Sequence, residues 1–401
     1  MSEEQKVRNR WIVVIGAIMI QLALGTIYSW GTLTQFVSPY VHEIEEVTVY
    51  VFGVGLLSFA ITMIFAGKLQ QKYGPKNIAI LGGILMGGGV ILSSFMTSFI
   101  GLLITYGIIF GMGIGFGYVC PIASASKWFP DKKGFINGIA VAGFGAGSFI
   151  FNYVIKSLAF NIPLMFIILG IIYLALIIGG AMTLSNPPDG WKPEGWVPST
   201  PSEKSGVSGL EFERIQTLKL PQFWMLWATF VLSAISGLMV IGSYSRFIES
   251  YLIVDFVLIG SLAALFNGLG RIIWGKLADI ITYKKTMYLM FSIQAILLLL
   301  YFTTSINELY FLLMTCAIYF CFGGNFSLFP TATTDLFGMK NLGPNYGMVF
   351  TAYGIAGFLG ATMTLPIVAA FGSYLTLFIV MGLMSLLAAL LIYLIKPPSR
   401  K

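Results

Sequence analysis

The 401-residue chain is 57% apolar and 10% charged, with a formal net charge of +7. An ordinary soluble domain carries about 25% charged residues, so a soluble enzyme or soluble binding module is excluded as a description of the whole. One histidine and three cysteines supply neither a metal-ligand set nor a disulfide framework, and no cofactor is expected.

In chain order, apolar stretches run over roughly 11–39, 49–71, 76–97, 99–127, 134–157, 161–184, 222–248, 255–278, 284–303, 308–335, 342–370 and 374–396. Each is close to the ~20 residues that a helix needs to cross a bilayer. The pattern predicts an all-α membrane protein with twelve transmembrane helices. The first stretch is too long for a signal-peptide core, has no small-residue cleavage site and runs straight into the rest. His42 lies in the acidic loop HEIEE and reads as a solvated residue. Cys120, Cys316 and Cys321 fall within spans and read as soft core residues.

The longest polar segment, 185–220, contains NPPDGWKPEGWVPSTPSEKSG and reads as a cytoplasmic linker. Its end, LEFERIQTLKL over 210–220, predicts a short interfacial helix. The linker separates a six-helix bundle over 1–184 from a second over 221–401. If both termini are cytoplasmic, every Lys and Arg except Lys156, Arg246 and Arg271 falls on the cytoplasmic side. The positive-inside rule therefore predicts a multi-pass protein of the inner or plasma membrane in that orientation. The same distribution accounts for the net charge, so no nucleic-acid partner is required.

The two halves repeat each other. A shift of 209 lays Pro121 on Pro330, Gly134 on Gly343, Gly138 on Gly347 and Gly145 on Gly354; a shift of 208 lays GKL at 67–69 on GKL at 275–277. A repeat at half-chain spacing marks a transporter of two similar bundles, with its substrate held between them near mid-membrane. Glycine runs such as GGILMGGG and GIAVAGFGAG suit close helix approach in lipid.

Twelve spans in two halves, with GKLQQKYGPKN between spans two and three, resemble the major facilitator superfamily. That family's loop has an acidic residue where this chain has Gln70 and Gln71. The second copy, GKLADIITYKK, keeps Asp279. The resemblance implies a cytoplasmic gate involving Gly67, Gln71, Gly275 and Asp279, with its first latch weakened. TIYSWGTL, KWFPDKKG, PQFWMLW, FNGLGRIIWG and FPTATTDLFG are similar, in that order, to segments of the oxalate/formate antiporter group, which grades into bacterial monocarboxylate transporters.

Arg271 is the only charge in 256–275. One alternative is an anchor that snorkels to the inner headgroups, ~7 Å away. Against it, helical side chains lean toward the helix N-terminus, here toward the bilayer centre and Asn267, one turn back. A charge at mid-helix costs at least ~2.5–3.5 kcal/mol. No Asp or Glu lies deep in any span, so the natural counter-ion is an anionic substrate, and the planar guanidinium suits a carboxylate.

The resemblance implies the rest of the pocket. The span-eight arginine of the oxalate-type carriers, which binds substrate carboxylate, matches Arg271, and their tyrosines in spans one and four match Tyr28 and Tyr118. Their second buried cation, a lysine in span eleven, is Tyr353 here, with Phe144 as its mate in the first half. Phe322, Phe326 and Phe350 replace other ring positions. One cation rather than two matches a monocarboxylate better than oxalate. Animal-type monocarboxylate carriers place an Asp one turn before the corresponding Arg; this chain has Asn267 and lacks that proton relay.

The expected function is alternating-access transport of a small carboxylate by a monomer, coupled to a counter-anion or to protons, with exchange favoured. An oxalate-type dianion exchanger and a carrier of an unrelated solute stand as alternatives. An enzyme is not expected, because no nucleophile, metal set or carboxylate cluster lies within the spans.

Overall fold

Apolar runs of this length must satisfy their backbone polar groups without water, which a helix does internally. The computed structural model describes residues 9–188, 190–193, 208–249 and 255–398, and all regular structure within them is helical. Among the described residues, twelve helices are long and apolar enough to cross a membrane. They are α1 (Trp11–Tyr40), α2 (Glu45–Tyr73), α3 (Pro75–Ser93), α4 (Phe99–Trp128), α5 (Lys133–Leu158) and α6 (Ile162–Ala181) before the polar segment. After it come α7 (Pro221–Glu249), α8 (Phe256–Ile281), α9 (Tyr283–Ile306), α10 (Glu308–Phe337), α11 (Leu342–Phe371) and α12 (Tyr374–Leu394). The end of the bundle that carries Trp11 and Leu394 is called the terminal end below.

Local chemistry sets the boundaries. Gly74, at φ +85°, closes α2, and Pro75 opens α3 immediately, where its missing N–H costs nothing. Asn161, Asn307 and Ser373 cap α6, α10 and α12 by accepting from the backbone N–H groups of Leu164, Tyr310 and Leu375. Three spans are irregular, α9 because it ends in a 3-10 helix over Tyr301–Ile306. The α4 helix widens to a π-helix over Leu103–Ile109, and α1 tightens to a 3-10 helix over Gly25–Ser29. The tightened segment carries Tyr28. It begins at Gly25, where any side chain would collide with the Phe144 carbonyl of α5.

Burial sorts the helices into layers. In their most apolar windows α10 is 78% and α1 67% buried, whereas α6, α9 and α12 are 33%, 39% and 44% buried. The first pair is central and the other three turn apolar faces outward, to lipid. The first six helices meet the last six along two seams, α2 against α11 and α5 against α8.

The linker is tied down at both described ends. The Ser185 carbonyl accepts from the Ser124 hydroxyl and from Trp128 Nε1, the latter at 2.8 Å. Trp191 packs edge-on to Trp128 with ring centres 4.9 Å apart. At the other end, Ser208 and Phe212 donate backbone N–H groups to the Asp335 and Phe337 carbonyls at 2.8 and 2.9 Å. The Glu211 carboxylate accepts from the N–H groups of Met339 and Lys340 at 3.1 and 2.9 Å. The helix expected over 210–220 is therefore shorter, Arg214–Leu218. Residues 208–213 give their backbone to the α10–α11 turn, and Glu213 with Gln216 then forms a reciprocal cap that starts the helix. Lys6, Arg8, Lys204, Arg400 and Lys401 of the predicted cytoplasmic set lie outside the described residues.

Replacing Glu211 by Ala removes two charge-assisted acceptors from an exposed turn, where such bonds are screened. Deuterium exchange at the Met339 and Lys340 amides is expected to rise about threefold to tenfold. Unchanged exchange would mean that the turn holds without the linker.

Candidate functional site

Arg271 is fully buried. Its Nε donates to Asn267 Oδ1 at 3.1 Å, one turn back on α8. Asn267 donates its own amide to the Tyr319 carbonyl of α10 at 3.3 Å, which fixes its oxygen toward the guanidinium. Arg271 Nη1 crosses the seam to the Val141 carbonyl of α5 at 2.9 Å. The guanidinium carbon lies 4.1 Å from the centre of the Phe326 ring and 5.0 Å from that of Phe144. Desolvated contacts of this kind are worth roughly 2 kcal/mol. Nη2 is buried and makes no hydrogen bond. The side chain is held inside the bundle, which is not the geometry of an arginine that snorkels to the headgroups.

The aromatic residues expected around it form one continuous cluster. Tyr28 meets Phe144 edge-on at 5.3 Å and Phe322 at 6.3 Å. Tyr118 packs on Phe144 and on Phe350, both at 5.3 Å, and Phe350 lies 4.9 Å from Tyr353. Asn267, Tyr118, Tyr353, Phe144, Phe322 and Phe350 are buried, whereas Tyr28 is partly exposed. The Tyr28 and Tyr353 hydroxyls share a hydrogen bond of 2.7 Å. It links α1 to α11 and thus the two sequence repeats. A pair of hydroxyls has two protons and uses only one between them, so the other is available to a further acceptor.

Three participants were not singled out by sequence. Phe59 of α2 packs 4.8 Å from Phe350 and 5.1 Å from Tyr118. Tyr346 of α11 lies 5.5 Å from Phe350. The Val141 carbonyl carries no side-chain signal at all. Tyr346 was findable, since it stands two turns before Tyr353 on the same helix face.

The four residues expected at a gate lie toward the terminal end, apart from the aromatic cluster. Gly67 lies directly on the Gly343–Pro344 backbone, so α2 and α11 touch main chain to main chain. Gly275 is buried within α8, one turn before Asp279. Asp279 accepts from the Phe135 backbone N–H at 2.8 Å, near the start of α5. Gln71 instead donates its Nε2 to the Lys340 carbonyl at 3.4 Å. The internal repeat explains the difference. A shift of 208 lays Gln71 on Asp279, and a shift of 209 lays Pro344 on Phe135. Proline has no N–H to donate. A carboxylate at position 71 would therefore lack the donor that Asp279 has, and an amide can use a carbonyl instead.

The model for a family described as Major Facilitator Superfamily matches residues 10–361 and 255–401. The chain is 29% identical over 360 residues to the "Uncharacterized MFS-type transporter YhjX" of Escherichia coli, covering 88% of this chain and 87% of that protein. It is 29% identical over 386 residues to the "Oxalate:formate antiporter" of Oxalobacter formigenes, covering 95% and 90%. To "Monocarboxylate transporter 14" of Mus musculus it is 23% identical over 430 residues, covering 87% and 83%.

The donor mismatch across the α2–α11 seam can be tested by repair. Gln71→Asp should widen the distance between spin labels at Lys72 and Lys340, and adding Pro344→Ala should restore it. An unaltered distance in Gln71→Asp would show that the polar contact does not hold this seam.

Proposed function

The chain belongs to the major facilitator superfamily and is a multi-pass membrane transporter, and from that premise we propose that it carries small monocarboxylates by alternating access around Arg271. The observation that carries this reading is the Nη2 group, a charged donor sealed from solvent and left without a hydrogen bond, in a guanidinium that has the Tyr28 hydroxyl as a neighbour. A guanidinium with one arm on Asn267 and one on Val141 is oriented and still has hydrogen-bonding capacity left. The free proton of the Tyr28–Tyr353 pair offers a second contact, and the ring walls exclude water from both.

Charge counting favours a monoanion. Arg271 is the one cation of the cluster, and Asn267 orients it without neutralising it. A bound monocarboxylate makes the site neutral, whereas oxalate would leave one negative charge desolvated, at a cost of several kcal/mol. The relatives named for oxalate and formate and for monocarboxylates fit a small carboxylate in general. Tyr353, where the oxalate-type carriers have lysine, favours the monoanion.

In this reading residues 1–184 rock against residues 221–401, with both termini cytoplasmic. Gly67, Gln71, Gly275 and Asp279 belong to the gate that closes the cytoplasmic side. The site lies between two halves of one chain, so a monomer suffices. An unloaded site is a buried cation offset by neutral groups alone: a carbonyl, an amide, two ring faces and the neighbouring Tyr28 hydroxyl. The loaded carrier should therefore reorient faster, which favours exchange of anions. Proton-coupled symport is the alternative, and it lacks the carboxylate that would relay the proton from position 267.

Labelled pyruvate and oxalate uptake in proteoliposomes, with trans-anion and pH gradient varied separately, tests each part. Pyruvate uptake should rise with trans-anion, and Arg271→Gln or Arg271→Lys should lower it at least about 100-fold, as expected when a buried charged pair loses one partner. Full activity in Arg271→Gln would remove the residue from the site. Tyr353→Lys is expected to raise oxalate uptake relative to pyruvate, and an unchanged ratio would defeat the charge count.

A further inference from the structure

Lys284 lies in the first turn of α9 and reaches across to α12, where its Nζ donates to the Ile395 carbonyl at 2.7 Å, just past the end of that helix. The bond brings it beside Lys396, its charged neighbour. The Lys284 ammonium also lies 5.7 Å from the centre of the Tyr393 ring. One turn further along α9, Tyr288 packs with its ring centre 5.8 Å from that of Tyr393. Two lysines and two tyrosines, drawn from two helices, thus form one cluster at the terminal end. Tyr288, Tyr393 and Lys396 are exposed on the surface that α9 and α12 turn to lipid, and Leu289 and Leu390 continue that surface.

The cluster holds positive charge that the protein itself does not offset. Neither Lys284 nor Lys396 pairs with a carboxylate among the described residues. Lys284 and Lys285 also stand where the helix dipole disfavours cations, and no acidic residue shares that first turn. A general excess of cytoplasmic lysine does not explain the arrangement, because the first repeat lacks it. Gly74 and Thr282 precede α3 and α9 with the same positive φ, +85° and +87°, so a shift of 208 aligns these two helices. It lays Lys284 on Lys76 but Tyr288 on Ile80. The caps of α6 and α12, Asn161 and Ser373, lie 212 residues apart, which lays Tyr393 on Ala181 and Lys396 on Leu184. Of the four residues, only Lys284 has a counterpart.

We propose that this face of α9 and α12 binds one anionic phospholipid, with its phosphate between Lys284 and Lys396 and its glycerol and upper acyl chains along Tyr288 and Tyr393. A basic spot between helix ends on the side where the lysines gather suits an acidic headgroup. A lipid fits better than a free anion, because exposed tyrosine rings are favoured where headgroups give way to hydrocarbon, and the apolar side chains beyond them face the acyl region. A zwitterionic lipid would bring its own cation to the two lysines and be held less firmly. The bound headgroup would bridge two outer helices of the second half without touching Arg271. The inference is therefore independent of what the carrier transports.

The test titrates the full-length protein, delipidated in detergent, with dioleoylphosphatidylglycerol or dioleoylphosphatidylcholine and counts bound lipids by native mass spectrometry. The first phosphatidylglycerol should bind at least about tenfold more tightly than phosphatidylcholine. Lys396→Gln should weaken phosphatidylglycerol about fivefold, and Lys284→Gln with Lys396→Gln about 25-fold, with phosphatidylcholine unchanged. Lys396→Arg keeps the charge and should bind as wild type does, and Lys76→Gln, at the matching place in the first half, should have no effect. Equal affinity for the two lipids, or equal losses in Lys76→Gln and Lys396→Gln, would reduce the cluster to ordinary cytoplasmic lysine and overturn the proposal. A loss in Lys396→Arg as large as in Lys396→Gln would make the residue a packing element and overturn it too. Complete displacement of the lipid by inorganic phosphate would make this a free-anion site. A dimer of the delipidated protein that Lys396→Gln abolishes would give the face to a second copy. Either outcome defeats the lipid assignment.

Discussion

A guanidinium buried between two bundles is the constraint around which the centre of this molecule is organised. Arg271 cannot lose its proton, so its charge has to be offset where it stands. The offset comes from four places: an amide one turn away, a carbonyl of the opposite repeat and the faces of two phenylalanines. Two of the four, the Val141 carbonyl and the Phe144 ring, belong to α5. The cation therefore ties α8 to α5 directly, beside the close approach of Gly138 and Gly145 of α5 to the α8 backbone. Moving one half against the other necessarily disturbs its environment.

That coupling gives the site and the seams a common logic. Toward the terminal end, Gly67 allows α2 and α11 to touch backbone to backbone, and Asp279 caps the start of α5. Beyond these contacts, the Tyr28–Tyr353 bond joins the same two repeats at the level of the aromatic cluster. All of these contacts are weak individually, and in the proposed rocking motion each would be exchanged for another. A carrier needs links of this strength, because a firmly bonded interface would not alternate.

The two repeats have diverged in a compensated way at their latches. Asp279 finds a backbone donor at Phe135, whereas the matching position on the other seam is Pro344 and the matching side chain is Gln71. A departure from the family pattern that looks like a weakened latch in the sequence becomes, in three dimensions, a reversal of donor and acceptor. The linker adds a further asymmetry, since its two described ends grip opposite halves. The helix expected at its end is shortened because the α10–α11 turn claims the preceding backbone.

Composition and pattern alone were enough for the fold. Runs of about 20 apolar residues have one way to satisfy their backbone in lipid, so the spans could be counted and bounded closely. The half-chain repeat likewise identified paired bundles, because it is written in residue types rather than contacts. At the site, the sequence singled out the residues whose chemistry is anomalous for their surroundings, Arg271 above all, and the family resemblance pointed to Tyr28, Tyr118 and Tyr353. It was silent on the Val141 carbonyl and the Tyr28–Tyr353 bond. Those depend on where residues 130 and 325 positions apart in sequence meet, and every backbone carbonyl looks alike until a neighbour is brought to it. Residue chemistry pointed to Arg271 as the place to look for an anion, and tertiary packing decided which of its hydrogen-bonding groups are left unbonded.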